Sequence, residues 1–212
     1  MLLEMRAVEP FLKNGFLLGC EDTREAVIID PGDEIDQLLA IVRRQSLAVK
    51  HILLTHAHVD HVSGVARARA AVNAPVTLHR DDLFLYEAAL DQASFFGLSI
   101  DRLPEIDSYY GDLPEIAFGR HVIRAHHTPG HSPGGVCLEV PRDGASSLLL
   151  VGDTLFAGSI GRTDLPGGDY DVLIRSIKQV LFAFGDLADV YPGHGPKTTI
   201  GEERRNNPFL VD

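Results

Sequence analysis

Leu53-Leu54-Thr55-His56-Ala57-His58-Val59-Asp60-His61-Val62 decides how the rest of the chain is read. The apolar run Ile52-Leu53-Leu54 predicts a buried strand. Three histidines and an aspartate follow it within six positions: His56, His58, Asp60 and His61. Open α/β sheets place their sites at the carboxyl ends of their strands. Polar density of this kind beside a buried strand has little structural use, because buried polar groups are costly unless compensated. Imidazole and carboxylate together suit zinc, manganese or iron. One strand end cannot complete such a site, so further ligands are expected from elsewhere.

The same local pattern recurs downstream. An apolar strand ends, a turn rich in Gly or Pro follows, and a metal-ligating side chain sits in or beside the turn. Residues 123–125 precede Thr128-Pro129-Gly130-His131, and residues 148–151 precede Gly152-Asp153. Val190-Tyr191 precedes Pro192-Gly193-His194, and Ile28-Ile29 precedes Asp30. Strands sharing one rim would bring these groups together. His56, His58, Asp60, His61, His131, Asp153 and His194 are too many for one tetrahedral ion and suit two ions sharing a carboxylate, with Asp153 as the bridge. His51, His79, His121, His126 and His127 complete no cluster and are expected to make ordinary local contacts.

Between these points the periodicity predicts helices over 33–44, 60–72, 83–96 and 169–181. Asp33 and Glu34 fall in the first turn of the first helix, and Asp81-Asp82 is expected to cap the third. Short strands are expected over 49–54, 76–78, 116–118, 121–125, 136–140, 147–151 and 190–191, with 98–111 irregular. The order suggests two packed sheets with helices outside. The 212 residues suit one domain, 1–212. A net charge of −11 argues against a nucleic-acid partner, which would need a basic face. Cys20 and Cys137 lack CxxC partners and are expected as buried thiols in a reducing compartment. No secretory signal and no membrane-length apolar run is present, so a cytoplasmic protein is expected, with no membrane partner.

Thr55-His56-Ala57-His58-Val59-Asp60-His61 resembles the signature of the metallo-β-lactamase superfamily. Thr128-Pro129-Gly130-His131, Gly152-Asp153-Thr154 and Pro192-Gly193-His194-Gly195 are similar to its later motifs, in the same order. Gly161-Arg162-Thr163-Asp164, Gly168-Asp169 and the Glu203 to Leu210 ending look like the short hydroxyacylglutathione hydrolases, or type II glyoxalases. The resemblance implies an α/β fold, a four-layer αβ/βα sandwich with the metal site at one rim. It implies one metal on His56, His58 and His131, and a second on Asp60, His61 and His194, with Asp153 bridging. Asp30 would hold ligand loops from behind. Two divalent ions, zinc or else iron or manganese, would then cleave a glutathione thioester of the S-D-lactoylglutathione type through metal-bound hydroxide. Asp60 and Asp153 would position the water.

Rival readings remain on the sequence. A persulfide dioxygenase would use one iron on His56, His131 and Asp153, and His194 would then have no part. A lactonase or β-lactamase would share the fold, although a secreted β-lactamase is expected to carry a signal peptide. Closed structural zinc sites are usually cysteine-rich, which disfavours a non-enzymatic module. Arg162 and Asp164 are expected to form an ion pair within their own loop. The aromatics of 81–111 fit a pocket wall or a helix core equally well. Oligomeric state is unknown at this stage.

Overall fold

The histidine cluster follows the fourth strand of a mixed sheet. The computed structural model describes residues 1–111, 115–142 and 146–211, which include every site residue expected above. The chain divides into two units, 1–122 and 123–212.

In the first unit β1 (Leu2–Arg6), β2 (Gly15–Gly19) and β3 (Glu25–Ile29) form an antiparallel meander. After α1 (Ile35–Arg44) the sheet continues in parallel through β4 (Ala48–Leu53), β5 (Val76–Leu78) and β6 (Ser108–Tyr109). Between β4 and β5 lie α2 (Val59–Val62) and α3 (Val65–Val72), and between β5 and β6 lie α4 (Leu83–Glu87) and α5 (Ala89–Phe95). The short β7 (Ile116–Phe118) ends the unit. Sheet order follows sequence order from β1 to β6. Ile29 of β3 stands beside Leu53 of β4 in parallel register, so Asp30 and Leu54 leave the sheet at the same edge.

The apolar stripe of α1 is Ile35, Leu38, Leu39, Ile41 and Val42, all buried in one core with Leu17, Ile28, Ile52 and Val76. Each such side chain contributes roughly 1.5–3 kcal/mol on burial. Glu34 does not sit in the first turn of α1 as an exposed acid. It is the residue before the helix, buried, and it pairs with the buried Lys13 at 2.9 Å.

The helix expected over 60–72 is two helices, divided at Ser63-Gly64. The amide of Gly64 donates to the Pro31 carbonyl at 2.9 Å, and a β-carbon on Gly64 would lie 2.2 Å from the Gly32 carbonyl oxygen. The chain breaks its helix there to close against the turn after β3. The helix expected over 83–96 is likewise split, at Ala88. Asp82 does not cap it; the His79 ring caps the preceding turn by accepting from the Asp81 amide.

In the second unit β8 (His121–His127), which starts just before the division, pairs antiparallel with β9 (Val136–Val140). β9 pairs antiparallel with β10 (Leu148–Gly152). A small hairpin, β11 (Leu155–Phe156) and β12 (Ser159–Ile160), follows, then α6 (Tyr170–Arg175), which continues as irregular helical turns to Phe184. β13 (Asp189–Pro192) lies parallel to β10, β14 (Thr198–Thr199) is antiparallel to β13, and α7 (Ile200–Asn206) closes the unit. The order across these strands is β14-β13-β10-β9-β8. Strands β8, β10 and β13 therefore run the same way, and their carboxyl ends share a rim. Leu149, Val151, Leu173, Ile177 and Val190 form the core beneath it.

Both cysteines are buried free thiols, as expected. Among the described residues no helix is long and apolar enough to cross a membrane.

Candidate metal centre

The first unit places His56, His58, Asp60 and His61 at the end of β4, and Asp30 at the neighbouring end of β3. Residues 54–58 belong to no strand or helix; backbone bonds hold Leu54 and His58 at the ends, and side chains hold amides between them. Asp30 has a positive φ of 48° and is fully buried. Aspartate tolerates this left-handed backbone better than most residues. Its carboxylate accepts from the Thr55 amide and from the Thr55 hydroxyl, each at 2.6 Å, and lies 2.9 Å from His61 Nδ1.

These contacts fix two imidazole tautomers. The Thr55 hydroxyl gives its proton to Asp30, so at 3.1 Å it can only accept from His56 Nδ1. A carboxylate likewise holds the His61 proton on Nδ1. In both rings the Nε2 lone pair is then the one offered to a metal ion. The rings of His56 and His58 are 4.9 Å apart by centroid, those of His56 and His61 4.0 Å. His56 and His58 offer ligand nitrogens within 4.8 Å of each other, and Asp60 and His61 offer ligand atoms within the same span.

Behind Asp30 lies a second layer. Its carbonyl accepts from Lys13 Nζ, and Glu34, paired with Lys13, accepts from the Gly32 amide at 2.8 Å. A buried pair of this kind costs desolvation and is tolerated when its remaining hydrogen bonds are made. Here those bonds go to the backbone of the Asp30 turn.

The second unit repeats the logic at its own rim. His131 follows the Thr128-Pro129-Gly130 turn after β8. Gly130 has φ +129°, and a β-carbon on it would lie 2.3 Å from the backbone nitrogen of Leu173. His131 Nδ1 lies 2.8 Å from the Arg162 carbonyl, which can only accept, so this ring also presents Nε2. His131 Nε2 and His194 Nε2 each lie 3.6 Å from Asp153 Oδ2. Gly193 donates to the Gly152 carbonyl at 2.8 Å, tying the two rim turns together. Asp153 is thus central to its group, as a bridging carboxylate would be. The donor set in both units is imidazole and carboxylate without thiolate, which fits catalytic rather than closed structural zinc and fits iron or manganese equally.

Thr55, Lys13, Glu34 and the Arg162 carbonyl were not foreseen as parts of the site. Their roles depend on which atoms meet across the fold, and that leaves no trace in sequence. Arg162 and Asp164 form the expected pair, with two 2.7 Å bonds. The guanidinium holds the Asp164 carboxyl down to about 2. His126 meets Glu139 at 2.9 Å, His127 meets the Pro133 carbonyl at 2.8 Å, and burial pushes the His51 pKa down. The aromatics of 81–111 divide: Tyr86 and Tyr110 are buried, while Phe84, Phe95 and Phe96 are exposed.

Comparison with known proteins bears on this geometry. Residues 8–194 match the profile of the metallo-beta-lactamase superfamily. The chain is 36% identical to the hydroxyacylglutathione hydrolase GloC of Haemophilus influenzae, over 99% of this chain and 98% of that protein. Among solved structures it is similar to the BLEG-1 B3 metallo-beta-lactamase, with a TM-score of 0.89, 37% identity and complete coverage of both chains. TTHA1623, solved in a di-iron-bound form, has a TM-score of 0.85 and 41% identity, covering 98% of this chain and 100% of that one.

Proposed function

We propose, from the premise that the chain belongs to the metallo-β-lactamase superfamily, that it hydrolyses a small-molecule thioester of the S-D-lactoylglutathione type. It is a metallo-hydrolase of that superfamily, whose fold binds divalent metal ions. In this reading His56, His58 and His131 hold one ion, Asp60, His61 and His194 hold a second, and Asp153 serves both. We assign zinc, with iron and manganese as the competing metals. Ions so held would supply acidification of a water and polarisation of a carbonyl.

The chain's own residues do the rest. Asp30 and Thr55 keep the imidazoles of His56 and His61 turned to present Nε2. The carboxylates of Asp60 and Asp153 would accept hydrogen bonds from the water and orient it, one of them taking the single proton it gives up. A thiolate departs without a strong general acid, and with water as the nucleophile no side-chain nucleophile is needed. Cys137 is unsuited to that role, since burial, reinforced by Glu139, pushes its thiol pKa up. The two free thiols accord with a cytoplasmic enzyme.

One observation carries the substrate class: end-to-end identity of 36% with a hydroxyacylglutathione hydrolase. A second reading, β-lactam hydrolysis, draws on the 37% identity with BLEG-1. Metal content, S-D-lactoylglutathione hydrolysis and β-lactam hydrolysis should be measured on one preparation. We expect two ions per chain and thioester turnover that collapses in Asp153→Ala and in His194→Ala. Two bound ions with no thioester turnover would overturn the substrate assignment, and full activity in His194→Ala would overturn the two-ion arrangement.

A further inference from the structure

The ligand loop carries its metal-ligating side chains on alternate residues, His56, His58 and Asp60. The residues that alternate with them, Thr55, Ala57 and Val59, have their backbone amides held in turn by three side chains. The Thr55 amide donates to Asp30 Oδ1 at 2.6 Å, the Ala57 amide to Asp82 Oδ2 at 3.1 Å, and the Val59 amide to Gln92 Oε1 at 3.2 Å. Side-chain acceptors at every second amide do here what a neighbouring strand does in a sheet, where amides at that spacing face one partner. Val59 opens α2, so its amide is one of those that a helix leaves without an internal acceptor.

The acceptors come from separate elements. Asp30 ends β3. Asp82 is fully buried just ahead of α4, and Gln92 lies on α5, where its Nε2 donates to the Leu85 carbonyl of α4 at 2.8 Å. Gln92 therefore locks α4, α5 and the ligand loop together through one amide group.

We infer that Asp82 and Gln92 are positioning residues for the metal ligands, setting the path of residues 56–61 from the α4–α5 segment. The inference rests on the metal reading above. Removing partners that orient metal ligands typically costs 10–100-fold in affinity.

Hydrogen exchange followed by NMR on the metal-free wild-type chain tests the geometry first. The Ala57 and Val59 amides should be protected although 54–58 form no strand or helix, and exchange at the rate of an open loop would overturn the inference. Gln92→Leu, which keeps size and removes the acceptor, is then titrated with Zn(II) against a competing chelator. Ser94→Ala on the same helix serves as control. We expect Gln92→Leu to lose 10–100-fold in affinity for at least one ion, with Ser94→Ala at the wild-type value. A merely structural role would lower the unfolding midpoint of the metal-free chain and leave the affinity of the folded chain unchanged, and that result would overturn the inference. Asp82→Asn, which retains an oxygen acceptor, should stay nearer wild type than Asp82→Ala. A wild-type chain that binds no Zn(II) yet protects both amides would overturn the metal reading and leave the clamp as a structural device.

Discussion

Asp30 shows how one residue orders the candidate ligands of a metal site without being among them. Its carboxylate takes three donors, the Thr55 amide, the Thr55 hydroxyl and His61 Nδ1, and through the hydroxyl it also fixes His56. Asp30→Asn keeps the size and one acceptor oxygen, but its amide group turns two hydrogens toward groups that themselves donate. One of the three donors must lose its acceptor or reverse its proton. Such second-layer changes cost 10–100-fold in metal affinity, or about 1.4–2.7 kcal/mol. Chelator competition on Asp30→Asn should show a loss of that size with the fold retained by circular dichroism. Wild-type affinity would mean that the tautomers are set by some other contact.

At the scale of elements, the strands and the ligand-bearing turns were legible in the sequence because apolar runs and Gly-Pro turns are local signals. The run at 52–54 and the motif after it lie where the periodicity puts them. The helix breaks were not legible. Residues 60–72 contain Ser63-Gly64, but a lone glycine is tolerated within a helical pattern, and it is the packing of Gly64 against the turn at Pro31-Gly32 that makes it a break. Asp82 likewise looks like a cap and proves to be a buried acceptor for the Ala57 amide, a contact across 25 residues. A glycine required by close approach of two backbones has a direct test. In Gly64→Ala the new carbon would overlap a backbone oxygen, and neither backbone can give way without moving α2 or the Asp30 turn. Overpacking of this kind costs about 1–3 kcal/mol. Denaturant unfolding of Gly64→Ala should show a loss in that range or above it, accompanied by weaker metal binding because α2 carries Asp60 and His61. An unchanged midpoint would place the cause of the helix break elsewhere.

For the molecule as a whole, the fold and the gathering of histidines and aspartates at the strand ends follow from sequence, but the substrate class does not follow from that gathering. An imidazole and carboxylate set suits metal-assisted attack on any electrophilic carbonyl, and nothing in residues 53–62 prefers a thioester. What the donors do predict is linkage between metal and stability. The chain carries a net charge of −11, and its ligand rims gather aspartates beside imidazoles. Cations that bind only the folded chain stabilise it by about 2.7 kcal/mol at a free concentration 100 times the dissociation constant. For a chain of this size 1 kcal/mol shifts the unfolding midpoint by about 2–4 °C, so chelation should lower the midpoint by roughly 5–10 °C and readdition of Zn(II) should restore it. The shift should grow with the logarithm of free metal, as mass action requires, and should shrink in Asp153→Ala, which lacks the shared carboxylate. A midpoint indifferent to chelation in a chain shown to be metal-free afterwards would mean that the folded rims do not bind ions in preference to the unfolded chain, and the hydrolytic reading would lose its physical basis.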